Sequence, residues 1–192
     1  METRSIMLVG VGGQGTLLAS RILGNTLLSQ GFDVKVSEVH GMSQRGGSVV
    51  TYIKYGDKVY SPVIEKGEAD IIVSFEQLEA ARWLSYLKKG GKIVTNTQQT
   101  EPMPVITGAM EYPADIIEKI KAKGVDITAV DALSLANEAG SSRAVNVVLM
   151  GVISKMMDFP EEAWKNALEQ CVPAKALEIN RKAFALGEAY GK

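Results

Sequence analysis

Gly10, Gly12 and Gly15 stand at the spacing G-x-G-x-x-G, directly after the apolar run Ile6-Met7-Leu8-Val9 and directly before a helix-like stretch over residues 16–30. Glycines at that spacing allow a tight turn, close approach of a phosphate to the backbone, and close packing of helix on strand. The N–H groups of Gly12, Gly13, Gln14 and Gly15, at the positive end of the helix dipole, would then hold an anion. The same pattern also suits a turn that only packs. Glu38, near the end of the next strand-like run, stands where a dinucleotide-binding fold keeps the acid that holds ribose hydroxyls. It is followed by His40-Gly41-Met42-Ser43-Gln44-Arg45-Gly46-Gly47, a polar loop rich in glycine. Within it, the planar fork of Arg45 suits a phosphate or a carboxylate. His40 has no Asp or Cys beside it in sequence, so an orienting hydrogen bond fits it better than acid-base work. Ser43 completes the set of polar candidates in that loop.

These residues need elements to carry them. The order strand, glycine turn, helix, strand predicts a beta-alpha-beta start, but the loop after Glu38 does not continue into a helix. Instead, residues 48–55 and 58–61 flank Gly56-Asp57, which predicts an antiparallel hairpin inserted into an otherwise parallel pattern. Further strands are expected over 69–75, 92–96 and 125–130, with helices over 76–89, 114–123, 133–138, 141–157, 160–170 and 174–189. Gly90-Gly91 reads as a helix stop, and Asp158 as the cap of the helix that begins near Pro160. Residues 97–113, with three prolines, read as a surface excursion. The expected architecture is a Rossmann-like, mostly parallel α/β sheet with an antiparallel hairpin insertion and C-terminal helices, in a single domain over residues 1–192. In such a sheet ligands gather at the carboxyl ends of strands, which adds Ser74 to Glu76, Asn96 and Asp131 to the candidates. Asn96 is expected to turn back on its own backbone. Asn146 and Gly151, poor helix formers inside a helix, predict close packing there.

Composition narrows the chemistry. A formal net charge of −1, with 46% hydrophobic and 22% charged residues, gives no basic face for nucleic acid or an anionic membrane. The one cysteine, Cys171, and the one histidine, His40, cannot alone hold an iron-sulfur cluster or a zinc ion. The lone thiol fits a reducing, cytoplasmic setting, and the first apolar run is too short for a signal core or a membrane span. With no catalytic constellation in view, a binding or accessory subunit is favoured over a free-standing enzyme.

Three ordered motifs, Gly10-Val11-Gly12-Gly13-Gln14-Gly15, Glu38 through Val49 around His40-Gly41-Met42-Ser43-Gln44-Arg45-Gly46-Gly47, and Ser74-Phe75-Glu76-Gln77-Leu78-Glu79-Ala80, resemble the gamma-type domain of 2-oxoacid:ferredoxin oxidoreductases. The second motif is most similar to that of the indolepyruvate-type members. The resemblance implies oxidative decarboxylation of aryl pyruvates with coenzyme A, giving aryl-acetyl-CoA, carbon dioxide and reduced ferredoxin. It further implies a large alpha subunit that carries thiamine diphosphate and the iron-sulfur clusters, while this chain binds coenzyme A and completes the assembly. On that basis the candidates for contact with the coenzyme are Gly12, Gly13, Gln14, Gly15, Glu38, His40, Ser43 and Arg45, with no metal ligand and no catalytic residue. Other readings stay open: a gamma subunit for pyruvate, 2-oxoisovalerate or 2-oxoglutarate, a stand-alone NAD-binding protein using Glu38, or a purely structural subunit. The isolated chain is also expected to be able to form a homodimer through the apolar surface meant for its partner.

Overall fold

The computed structural model describes residues 2–40 and 46–191, without the side chain of His40; the candidates Ser43 and Arg45 lie outside the described residues. One six-stranded sheet forms the frame, in the order β2-β3-β1-β4-β5-β6. β1 (Arg4–Val11), β4 (Ala69–Ser74), β5 (Leu87–Asn96) and β6 (Asp126–Val130) run parallel. β3 (Ser48–Gly56) runs antiparallel to β1 on one side and to β2 (Asp33–His40) on the other. The expected α/β class and antiparallel insertion are therefore present.

The insertion pairs differently from the expected hairpin. Both edges of β3 are filled by β1 and β2, so residues 58–61 have no ladder to join. They run instead as an irregular connection, in which Val59 donates its N–H to Asp33 Oδ2 at 2.8 Å and buries its side chain.

Alternation along β1 explains why its apolar run has no polar face. Ile6 and Leu8 enter one core, and Met7 and Val9 enter the other. The first core lies under α1 (Thr16–Ser29), α5 (Ala132–Ala139), α6 (Val145–Ser154), α7 (Glu161–Cys171) and α8 (Leu177–Tyr190), with Leu23, Val148 and Trp164 at its centre. The second is covered by α2 (Gln77–Arg82) and α4 (Ile116–Lys121) through Ala80, Ile116 and Ile120. No helix of the described residues is long and apolar enough to cross a membrane.

Several boundaries correct the sequence reading. The expected helix over 76–89 stops at Arg82, passes through a 3-10 turn at Leu84–Tyr86, and gives way to β5 at Leu87. Gly90 and Gly91 are then not a helix stop but a bulge within β5, where pairing with β4 shifts between Ala69 and Ile71. Gly90 has φ +80°, and a Cβ on Gly91 would come 3.0 Å from the carbonyl oxygens of Ala69 and Asp70. The excursion over 97–113 contains a short helix, α3 (Met103–Ile106). Pro160, not Asp158, occupies the N-cap position of α7, and no side chain caps it; Glu161 and Glu162 supply the acid of the first turn.

The expectation of close packing around Gly151 holds, because α6 and α8 approach until their backbones touch. A Cβ on Gly151 would fall 2.1 Å from Phe184 O, and one on Gly187 would fall 2.1 Å from Val148 O. Neither backbone can yield without moving its helix. Gly187→Ala is therefore expected to lower stability by about 1–3 kcal/mol, read as a lower urea midpoint at unchanged m-value. An unchanged midpoint would show that the two helices separate freely.

Candidate functional site

The glycine turn links the carboxyl end of β1 to the start of α1. Gly13 and Gly15 take φ +103° and +86°, values that L side chains rarely adopt. Gly10 is needed for a different reason: a Cβ there would lie 2.7 Å from Gln14 Oε1 and 2.9 Å from Phe75 Cβ. Gln14 turns its amide inward, where Oε1 accepts the Val11 N–H at 2.8 Å, so its side chain shapes the turn. Gly15 occupies the N-cap position of α1, and no side chain among the described residues caps that helix. Its positive end is left to backbone N–H groups alone. Among the described residues, nothing lies within 4 Å of where a Gly13 Cβ would be.

Three motifs far apart in sequence meet at this edge. β3 pairs with β1 so that Ser48 faces Val11 and Val49 faces Gly10. Beyond the ladder, Gly12 donates its N–H to Gly47 O at 2.8 Å, and Gly46 donates to Gly12 O at 3.4 Å. The exit of the loop over residues 41–45 is thereby fastened to the glycine turn. On the other side of β1, Phe75 donates its N–H to Val9 O at 2.8 Å. Ser48 then donates its hydroxyl to Glu79 Oε2 on α2, tying the second motif to the third.

The acids of the third motif are buried and fully engaged. Glu76, 1% exposed, caps α2 by accepting from Glu79 N at 3.0 Å, and its other oxygen accepts from Thr100 N at 3.2 Å and from the Tyr112 hydroxyl. Glu79 also accepts from Trp83 Nε1 at 3.3 Å and pairs with Arg82 at 3.2 Å. Burial first, and then the hydrogen bond to the Glu76 carboxylate, push the Tyr112 phenol well above its ordinary value. Both carboxylates thus act as fasteners, holding the excursion over 97–113 and the foot of the loop against the sheet.

The remaining candidates are distributed as follows. Asn96 does not turn back on itself. Its Nδ2 donates to Phe75 O and to Gln98 Oε1, both at 3.3 Å, and its Oδ1 accepts from Ala132 N at 3.3 Å, which ties the ends of β4 and β5 to α5. Asp131 caps α5, and Ser134, through hydroxyl and N–H, holds its carboxyl below the usual range. Glu38 is exposed on β2, where the Thr51 hydroxyl donates to it at 3.5 Å. With β3 lying between β2 and β1, it stands about 10 Å from the β1 axis. Cys171 accepts from Asn25 Nδ2 at 3.3 Å, and burial raises its thiol.

Sequence reasoning gave no site role to Asn146, Tyr112 or Ser48. Asn146, 3% exposed on α6, donates Nδ2 to Gly15 O at 3.1 Å, and a Cβ on Gly15 would sit 2.5 Å from that nitrogen. The signal available was a polar amide inside an apolar helix, whose buried hydrogen bonds must go somewhere. Among the described residues no group of three or more His, Cys, Asp or Glu is arranged to hold a metal.

The fold and its glycine edge define the class: this is the α/β fold of oxoacid oxidoreductase gamma subunits. The gamma subunit of a keto/oxoacid ferredoxin oxidoreductase from Geobacter sulfurreducens superposes with a TM-score of 0.73 over 98% of each chain, at 23% identity. A 2-oxoglutarate:ferredoxin oxidoreductase from Magnetococcus marinus contains the same fold, matching all of this chain and 31% of its own, with a TM-score of 0.77 and 20% identity. Residues 5–190 match the pyruvate ferredoxin/flavodoxin oxidoreductase family, and the chain belongs to it. It is 44% identical to the protein named indolepyruvate oxidoreductase subunit IorB in Thermococcus kodakarensis, over 97% of this chain and 95% of that one. The chain is a subunit of a 2-oxoacid:ferredoxin oxidoreductase.

The raised phenol of Tyr112 sets a pH dependence. Folded Tyr112 stays protonated where the unfolded phenol, near its ordinary value of about 10, already ionises. Its contribution to stability is complete below that value and is lost as pH rises above it. Tyr112→Phe is expected to flatten the fall in stability above about pH 10, measured by urea unfolding at several pH values. An unaltered alkaline slope would remove the Tyr112 to Glu76 bond from this account.

Proposed function

We propose that this chain is the coenzyme A-binding subunit of an indolepyruvate:ferredoxin oxidoreductase, acting in the cytoplasm with a large alpha subunit. The reaction converts an aryl pyruvate and coenzyme A into the aryl-acetyl-CoA and carbon dioxide, the two electrons released passing to ferredoxin. The observation that carries the reading is the bond between Gly12 and Gly47, which brings the end of the loop bearing Arg45 to the uncapped start of α1. Because the Gly12 N–H is taken by that bond, the backbone donors offered to a phosphate are those of Gly13, Gly15 and the first turn of α1. Arg45, with Ser43 close by in sequence and His40 at the end of β2, is the proposed side-chain partner through charge-assisted bonds.

The relative in Thermococcus kodakarensis, named for indolepyruvate, supports the choice of substrate. The Magnetococcus marinus enzyme was determined with coenzyme A and succinyl-CoA bound, which supports the coenzyme. Thiamine diphosphate supplies the stabilisation of a carbanion when bound, and we assign it, with the clusters, to the alpha subunit. One cysteine does not fit the four thiolates that an iron-sulfur cluster takes. The position of Glu38, two strands from the glycine turn, gives an NAD reading no support.

In the complex of both subunits, Arg45→Met is expected to raise KM for coenzyme A about tenfold, with KM for indolepyruvate little changed. Indolepyruvate should also give a higher kcat/KM than pyruvate or 2-oxoglutarate in the parent complex. An unchanged KM for coenzyme A would sink the role of Arg45, and a preference for pyruvate would sink the choice of substrate.

A further inference from the structure

A well-formed cavity of the described residues lies away from the glycine turn. It holds about 640 Å³ and opens at the opposite edge of the sheet, where β1, β4 and β5 begin. The seven steps from Arg4 to Val11 separate the two edges by about 23 Å. Its volume falls in the range of pockets that take small molecules.

One wall is aromatic. Tyr55 meets Phe32 and Phe159 edge to face, with ring centroids 5.4 Å and 6.4 Å away, and Phe32 and Phe159 are tilted against each other at 5.9 Å. Ile6 and Met157 back this wall and are buried, whereas Phe32 and Phe159 stay partly exposed toward the cavity. Rings in this arrangement accept a further ring by an edge or an offset face, and a methionine beside them adapts to its shape.

The rim is charged, and its charges are not all spent. The Asp70 carboxylate is taken up by the Ser5 N–H at 2.8 Å and by Lys88 at 3.2 Å. Lys92 lies 3.8 Å from Asp126. Arg4, whose guanidinium acts on the Tyr55 hydroxyl, and Lys89 have no carboxylate partner among the described residues. They are the cations left for a ligand. Glu2 and Asp158, also at the rim, oppose an anion in proportion to its charge, so a polyphosphate is disfavoured far more than a single carboxylate. An aromatic wall beside Arg4 and Lys89 suits a ring bearing a single carboxylate.

We infer that this cavity is a binding site for small aromatic carboxylates, with the ring against Phe32 and Phe159 and the carboxylate on Arg4 and Lys89. It is separate from the coenzyme edge, so it stands or falls apart from the function proposed above. A ligand there would lie against the bulge at Gly90-Gly91 and the turn that leads into α7.

Calorimetric titration of the full chain and of the two-subunit complex with phenylacetate and indole-3-acetate tests this, with acetate and the two neutral amides as controls. Saturable binding of both acids is expected, at least about tenfold weaker for the amides and about tenfold weaker in Arg4→Gln. Phe159→Leu should weaken the acids while leaving the urea midpoint close to the parent, which separates lost contact from lost folding. In nitrogen-15 spectra of the full chain, the shifted amides should include Gly90 and Phe159 and leave Gly13 and Gly15 in place. No saturation below about 10 mM, equal binding of acids and amides, shifts confined to the glycine turn, or binding that disappears in the complex would each overturn the inference.

Discussion

The placement of β3, antiparallel between β1 and β2, is the constraint on which the rest of the structure depends. Its ladder to β1 runs from Arg4 opposite Tyr55 to Val11 opposite Ser48. Such a ladder cannot slip by one residue, because a slip would turn Ile53 and Tyr55 out of one core and Val50 out of the other. With that register fixed, the end of the polar loop must arrive at the glycine turn. The same placement moves Glu38 one strand further out and leaves residues 58–61 without a strand to pair with.

A second layer of order comes from polar groups that are buried and therefore obliged to find partners. Glu76, Glu79, Asn96 and Asn146 are each 3% exposed or less, and each bridges elements that the backbone ladder does not join. Asn146 reaches the glycine turn from α6, Asn96 joins β4 and β5 to α5, and the two glutamates join α2 to the excursion and to β3. Buried in a medium of low polarity, these bonds are costly to leave unmade, so they hold the carboxyl edge to one geometry. Among the described residues, that edge is left with backbone N–H groups.

The two ends of the sheet consequently differ in kind. At the carboxyl end, polar side chains are consumed in holding the turn, and the start of α1 has no side-chain cap among the described residues. At the amino end, a bulge at Gly90-Gly91 and three touching rings line a cavity with a charged rim. Between them, the contact of α6 with α8 through Gly151 and Gly187 closes the face that carries most of the helices.

The sequence by itself determined the α/β class, the strand-turn-helix opening and the family, because these rest on local signals: an apolar run, glycines at fixed spacing, and three motifs in order. It also marked Gly151 as a close contact, since glycine inside an apolar helix has few other reasons to be there. Pairing was not legible. Gly56-Asp57 carries the signature of a hairpin turn, yet β3 had already filled both its edges, and that competition exists only in three dimensions. Gly90-Gly91 read as a helix stop because a bulge and a stop use the same permissive backbone, and only the parallel ladder to β4 decides between them. The roles of Asn96, Tyr112 and Asn146 were decided by the tertiary structure alone, because a buried amide or phenol is defined by the partner that satisfies it, and those partners lie 21, 36 and 131 residues away.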